Sequence, residues 1–325
     1  MNDIAPDTKQ QEQIPFNNLY LISGLVHGQN KGWMYVLTIL LLLFGYMLFQ
    51  SLCVLPLMAV LMKNGYSQDE VVRNANLLFD ANALKMDRNI VLALELGMFV
   101  FAFFGFFTGL RFFHHKTLTS VLTGYERFRY KRFWFAFGVW GAFLVISVLA
   151  NYIFFPGELV FSFDPVGFLI STLMMALLMP IQTGIEEIVF RGYLLQGLSQ
   201  IFKNAIVPLI ITSLLFGAAH MSNPEVKQFG RPIMLTYYTS FALFMGCITL
   251  IDEGLELAFG IHFANNIISS MLLCSPNSAV KTYSVFDVKS ENPGSEIIAW
   301  LIMAAITFFI FKFRYRWKNF NLIIK

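Results

Sequence analysis

Eight long apolar runs, with few or no charges inside them, constrain this chain more than any other feature. They lie near Trp33–Met62, Ile90–Arg111, Phe133–Phe155, Val166–Thr183, Asn204–His220, Ile233–Ile251, Leu255–Cys274 and Ile297–Phe313. About 18 or more apolar residues span the roughly 30 Å hydrocarbon layer as a helix, because a helix satisfies its backbone donors and acceptors internally. Only 13% of the 325 residues are charged, against about 25% in ordinary soluble domains, so the chain lacks the polar groups to cover a water-facing surface. The expected fold is all-α, a polytopic transmembrane helix bundle of about eight spans, with the lipid bilayer as its solvent.

The chain divides into a polar N-terminal segment (1–32), an N-terminal transmembrane region (33–165), a region of embedded polar residues (166–275), and a last span with a basic tail (276–325). Within the first segment, the weakly amphipathic Asn18–His27 is expected partly on the membrane surface, and the first apolar run should act as an uncleaved anchor. Ser67-Gln-Asp-Glu70 has capping-box spacing and predicts a surface helix. Basic residues cluster in the loop from Arg111 to Arg132 and in the tail from Lys312 to Lys325. Such loops are retained in the cytoplasm, which places both termini there, in a plasma membrane. The segment from Lys63 to Arg88 falls on the outer side with four basic residues, but four acids accompany them. The net charge of +3 reflects these loops rather than a basic face, so no nucleic-acid partner is expected. Cys53, Cys247 and Cys274 lie in apolar stretches without CxxC spacing and read as core or lipid-facing residues. Oligomeric state is not legible.

The chemistry is concentrated in the fourth to seventh runs. Gly184-Ile-Glu186-Glu187-Ile-Val-Phe-Arg191 follows an apolar helix carrying Pro180. A carboxylate at membrane depth costs about 2.5–3.5 kcal/mol, so two together mark a functional site by default. Glu187 and Arg191 stand at i and i+4 and should pair. Glu186 then points about 100° away as the free carboxylate, able to exchange protons. The bland alternative is a surface ion pair in a short interfacial loop. Phe216-Gly-Ala-Ala-His220 and His262-Phe-Ala-Asn-Asn266 each put a histidine in an apolar helix, with Phe216 and Asn266 one turn away on the same face. One such histidine is more often a packing residue than a ligand; two, following an embedded Glu-Glu, favour chemistry. Imidazole suits zinc-like divalent metals, a neighbouring carboxylate can activate water, and Asn266 can donate to a developing oxyanion. His27, His114 and His115 are expected to be solvated.

These three stretches, EExxxR, FxxxH and HxxxN in order, resemble the motifs of the CPBP family of intramembrane proteases, which includes the CAAX-processing endopeptidases. The resemblance covers roughly 166–275. It implies a CAAX-like protease hydrolysing a peptide bond of a membrane-associated or C-terminally processed peptide or protein substrate. Glu186 would activate the water, and Glu187 would assist or pair with Arg191. His220, His262 and Asn266 would bind metal or stabilise the tetrahedral intermediate, with His220, His262 and Glu187 as the ligand set of a divalent metal, zinc by donor type. Phe216 and Arg191 would support the site. Two readings from other classes stand beside it: a proton-coupled transporter relaying through Glu186, His220 and His262, and a non-proteolytic scaffold or immunity factor. Straight spans would hold His220 and His262 at opposite depths, so either Met221–Pro232 re-enters the membrane or spans four and five are tilted and broken, with Pro180, Gly184 and Gly192 marking the fourth.

Overall fold

The computed structural model describes residues 16–290, 293–318 and 320. Eight principal helices occupy the eight expected runs: α1 (Gly32–Lys63), α2 (Arg88–Phe112), α3 (Tyr130–Phe154), α4 (Pro165–Glu187), α5 (Ile206–Ala219), α6 (Arg231–Asp252), α7 (Glu256–Leu272) and α8 (Pro293–Tyr315). Six of these are long and apolar enough to cross a membrane; α5 and α7 fall short. With 14 and 17 residues they reach only about 21 and 26 Å at 1.5 Å per residue. They stand among other helices rather than crossing lipid alone. The bundle is polytopic and almost wholly helical, as expected.

α4 does not break at Pro180. It continues through a π-helical turn, Ile188–Leu194, into a further helix, Leu195–Phe202. α5 then returns antiparallel from the far end of this 38-residue rod, so its C-terminus reaches only the level of the π turn. There Phe190 and Phe216 meet at 5.3 Å between ring centroids. Thus His220 and His262 come to similar depth without a broken α4.

The two ends of the bundle differ. At the basic end, Arg129 is held by the buried Glu256, with Nε donating at 2.9 Å and Nη2 at 2.7 Å to its two oxygens. Asp252 accepts from Arg132 and from the Trp317 indole, which ties the segment after α8 to the bases of α6 and α7. At the other end, three short strands form a sheet in the order β1-β3-β2. β1 (Leu159–Phe161) runs antiparallel to β3 (Phe286–Val288), with Val160 opposite Asp287, and β2 (Leu273–Cys274) runs parallel to β3.

Short helices complete the fold. Leu19–Val26, capped by the Asn18 side chain, buries one face against the bundle: Tyr20 and Leu21 are fully buried while Leu19 is exposed. The Tyr20 hydroxyl lies 2.8 Å from the Val121 carbonyl and 3.1 Å from the Arg191 carbonyl, so this helix braces the π turn. His114 is likewise buried rather than solvated, donating through Nδ1 to Gln29 O at 2.7 Å and meeting the Tyr193 hydroxyl through Nε2 at 2.6 Å. His27 and His115 are exposed. Gln68–Arg73 forms the predicted surface helix with both capping-box bonds. Residues 1–15 and 321–325, where part of the polar segment and the tail's end were placed, lie outside the described residues. The three cysteines are unpaired thiols, Cys274 buried and the others half-buried.

Candidate active site

Local sequence sets the first contacts. The i, i+4 spacing that predicted a pair puts Arg191 Nη1 3.0 Å from Glu187 Oε1, both side chains almost completely buried. The π turn begins just after Glu187; such turns insert one extra residue per turn and recur at functional sites because they redirect side chains. Gly192 lets the turn lie against its neighbour, since a Cβ there would stand 2.7 Å from the Val121 carbonyl. The Arg191 guanidinium also lies 4.0 Å from the centre of the Phe216 ring. Phe216 therefore links the first motif to the second, a contact worth ~2 kcal/mol when desolvated.

The third motif closes on the first. His262 Nδ1 donates to Glu187 Oε1 at 2.6 Å, and its Nε2 faces Glu186 Oε2 at 3.5 Å, beyond a good hydrogen bond. Glu187 Oε1 thus receives both Arg191 and His262, fixing the imidazole's orientation, while its Oε2 has no partner. Glu186 lines a cavity, and its Oε2 also has no hydrogen-bond partner in the protein.

His220 caps α5. It donates through Nδ1 to the Phe216 carbonyl at 2.8 Å, which leaves Nε2 as an acceptor, and its ring stacks between Phe216 at 4.3 Å and Tyr238 at 4.5 Å. Tyr238 in turn bonds Glu225 and accepts from Asn223 Nδ2 at 3.0 Å. Asn266 donates one N–H to Gln182 Oε1 at 3.1 Å. All three motifs therefore meet around one cavity of about 710 Å³, bordered by Gln182, Glu186, His220, His262 and Asn266.

Two of these partners were not singled out from sequence. Gln182 sits four residues before Glu186, and that spacing on an apolar helix was a readable signal. Tyr238 carries no local signal, because its role depends on α6 packing against α5.

The expected metal ligand set is not assembled. Among the described residues, no three His, Cys, Asp or Glu side chains are gathered so as to hold an ion. Glu187 Oε1 and His262 Nδ1 are engaged with each other and with Arg191, while Glu187 Oε2 has no partner. The imidazole and carboxylate donors would suit a divalent ion by type, but the described side chains are not gathered around one point, so the proposed chemistry rests on the protein's own groups.

A helical membrane bundle with a buried carboxylate–imidazole site, built from three helix-borne motifs, defines the class. Within it, residues 165–268 match the family model described as type II CAAX prenyl endopeptidase Rce1-like. The resemblance read from the motifs is borne out over that segment, and it points to a CAAX-type membrane protease. The chain is also similar to the uncharacterized protein YyaK of Bacillus subtilis (strain 168), at 27% identity over 271 residues, covering 82% of this chain and 87% of that protein. No solved structure matches.

Proposed function

We propose that this protein is an intramembrane endopeptidase in which Glu186 activates water against a peptide bond. The observation that carries the reading is the division of labour between the two adjacent carboxylates: Glu187 takes Arg191 and His262 on its Oε1, while Glu186 lines the cavity with only the His262 Nε2, at 3.5 Å, beside it.

In this mechanism the water is held between the Glu186 carboxylate and the acceptor Nε2 of His220. Glu186 takes one proton as the water oxygen attacks the carbonyl carbon. Asn266 Nδ2 spends one N–H on Gln182 and has a second to offer the oxyanion. Collapse of the tetrahedral intermediate breaks the C–N bond, and Glu186 returns its proton to the leaving amine. His262, oriented by Glu187, is the near neighbour that supports Glu186 through this exchange. Water enters because the cavity is lined by polar groups as well as rings.

The basic end of the bundle is assigned to the cytoplasm of a plasma membrane, and both termini with it. The substrate is a membrane-associated peptide; the matched family's description makes a prenylated C-terminus one option. The transporter reading has less support, since the His262 ring is locked by Glu187 rather than placed to swing.

The test is cleavage in proteoliposomes, using a mixed set of membrane-inserted peptides and mass spectrometry. New termini are expected with the native protein and not with Glu186→Gln at equal folded yield. Equal cleavage by both proteins would remove Glu186 from the mechanism.

A further inference from the structure

The cavity extends well beyond the catalytic layer. From Glu186 and His262 it runs along α7 to Leu273 and Ser275, and on to Glu158 and Val288 at the sheet end. His262 to Leu273 is about 16 Å along a helix, the length of about five residues of extended peptide. The basic loops lie at the opposite end of the bundle.

Its charge is of one sign. Glu95, Glu158, Glu186 and Glu225 border it, and among the described residues no lysine or arginine does. Glu158 accepts from Asn151 at 2.9 Å and Glu225 bonds Tyr238, so neither is neutralised by a cation. Lys281 is bonded to Asp80 at 2.8 Å. Carboxylates gathered in one cavity repel each other and attract a cation. A second feature points to a ligand. Trp300, only 7% exposed, lines the same cavity, and its indole N–H is buried without a partner. Such a donor matches a peptide carbonyl. Trp140, Tyr237 and Phe241 border the same space, and their π faces also favour a cation.

We propose that the cavity selects a peptide carrying a lysine or arginine within about five residues of the cleaved bond, threaded from the sheet end. The basic side chain lies among the glutamates, while the Trp300 N–H holds a backbone carbonyl. This rests on the protease reading for the position of the cleaved bond, but the charge selection is measurable without cleavage.

The probes are three fluorescein-labelled twelve-residue apolar peptides, identical except for a central lysine, norleucine or glutamate. Binding is measured by anisotropy on the full-length Glu186→Gln protein in nanodiscs, so that no peptide is consumed. The lysine peptide is expected to bind at least ten-fold more tightly than the norleucine peptide, with the glutamate peptide weakest. That advantage should shrink several-fold in Glu186→Gln/Glu95→Gln protein and in high salt. Equal binding of all three peptides, or binding of none, overturns the proposal. The comparison among peptides uses one protein, so it stands even if the second substitution impairs folding. Charge-selective binding without cleavage of the lysine peptide by native protein would break the protease reading alone. Cleavage of all three at equal rates would break the charge selection alone.

Discussion

Helices α1 and α2 meet through glycine and bare backbone, whereas α4 and α7 add polar contacts to an apolar seam of Met175, Met179, Phe263 and Ile267. In the first pair, Gly105-Phe-Phe-Thr-Gly109 presents small residues one turn apart. A Cβ on Gly105 would stand 2.2 Å from the Leu41 carbonyl, and one on Gly109 would stand 2.6 Å from Thr38 Oγ1. This is the packing expected where no hydrophobic force drives helices together and close approach of surfaces must do so. In the second pair, the polar contacts are His262 to Glu187 at 2.6 Å and Asn266 to Gln182 at 3.1 Å. Contacts of that kind cost desolvation and bring chemistry, which is why the N-terminal pair scaffolds and the second pair carries the site.

The difference should be largest at Arg191. Arg191→Met leaves Glu187 buried without its guanidinium, at a cost of about 3–5 kcal/mol. Denaturant titration of the purified protein in micelles should show this, with part of the loss recovered in Glu187→Gln/Arg191→Met, where no charge is stranded. A cost near zero for the single substitution would mean that charge does not hold this region.

Lys116 provides a control outside the spans. Its ammonium group is buried, donating to Gly24 O and Asn30 Oδ1, each at 2.6 Å, and burial pushes its pKa down to about 7. The folded protein then binds fewer protons than the unfolded chain between about pH 7 and the ordinary lysine value near 10.4. Stability should therefore rise with pH across that window. The contribution is on the order of 2–4 kcal/mol, to be read as the difference in slope between native protein and Lys116→Met. Parallel slopes would show that Lys116 is solvated.

In the glycine-packed pair, Gly105→Ala should cost about 1–3 kcal/mol, because the opposing atom is backbone and has little room to yield. An unchanged melting temperature would show that the helices are held by other contacts. The smallest effect belongs to the exposed pair Asp69–Arg73, 4.0 Å apart with both side chains mostly exposed. Asp69→Ala should leave stability unchanged within error, as is usual for solvated pairs.

What the sequence made legible follows the same division. Apolar run length located the eight helices, and i, i+4 spacing located the Glu187–Arg191 pair, because both are local properties of a helix. His114 was expected to be solvated because its neighbours are mixed in polarity, and only tertiary contacts with Gln29 and Tyr193 bury it; the burial of Tyr20 against the π turn is equally non-local. The depth of His220 was misjudged because nothing local reveals that α4 runs on through the π turn to Phe202. Spacing also could not show that the proposed ligands are not gathered around one point, because His220, His262 and Glu187 come from three helices.

The central claim is that Glu186 performs hydrolysis on a membrane peptide while Glu187 holds the site together. The most direct measurement compares the membrane peptides of cells making the native protein with those of cells making Glu186→Gln or Glu187→Gln at matched folded levels. The expected result is at least one cleavage product present with native protein, absent with Glu186→Gln, and reduced but present with Glu187→Gln. A product that persists in Glu186→Gln and vanishes only in Glu187→Gln would invert the two roles. A peptide inventory identical across all three would contradict the account.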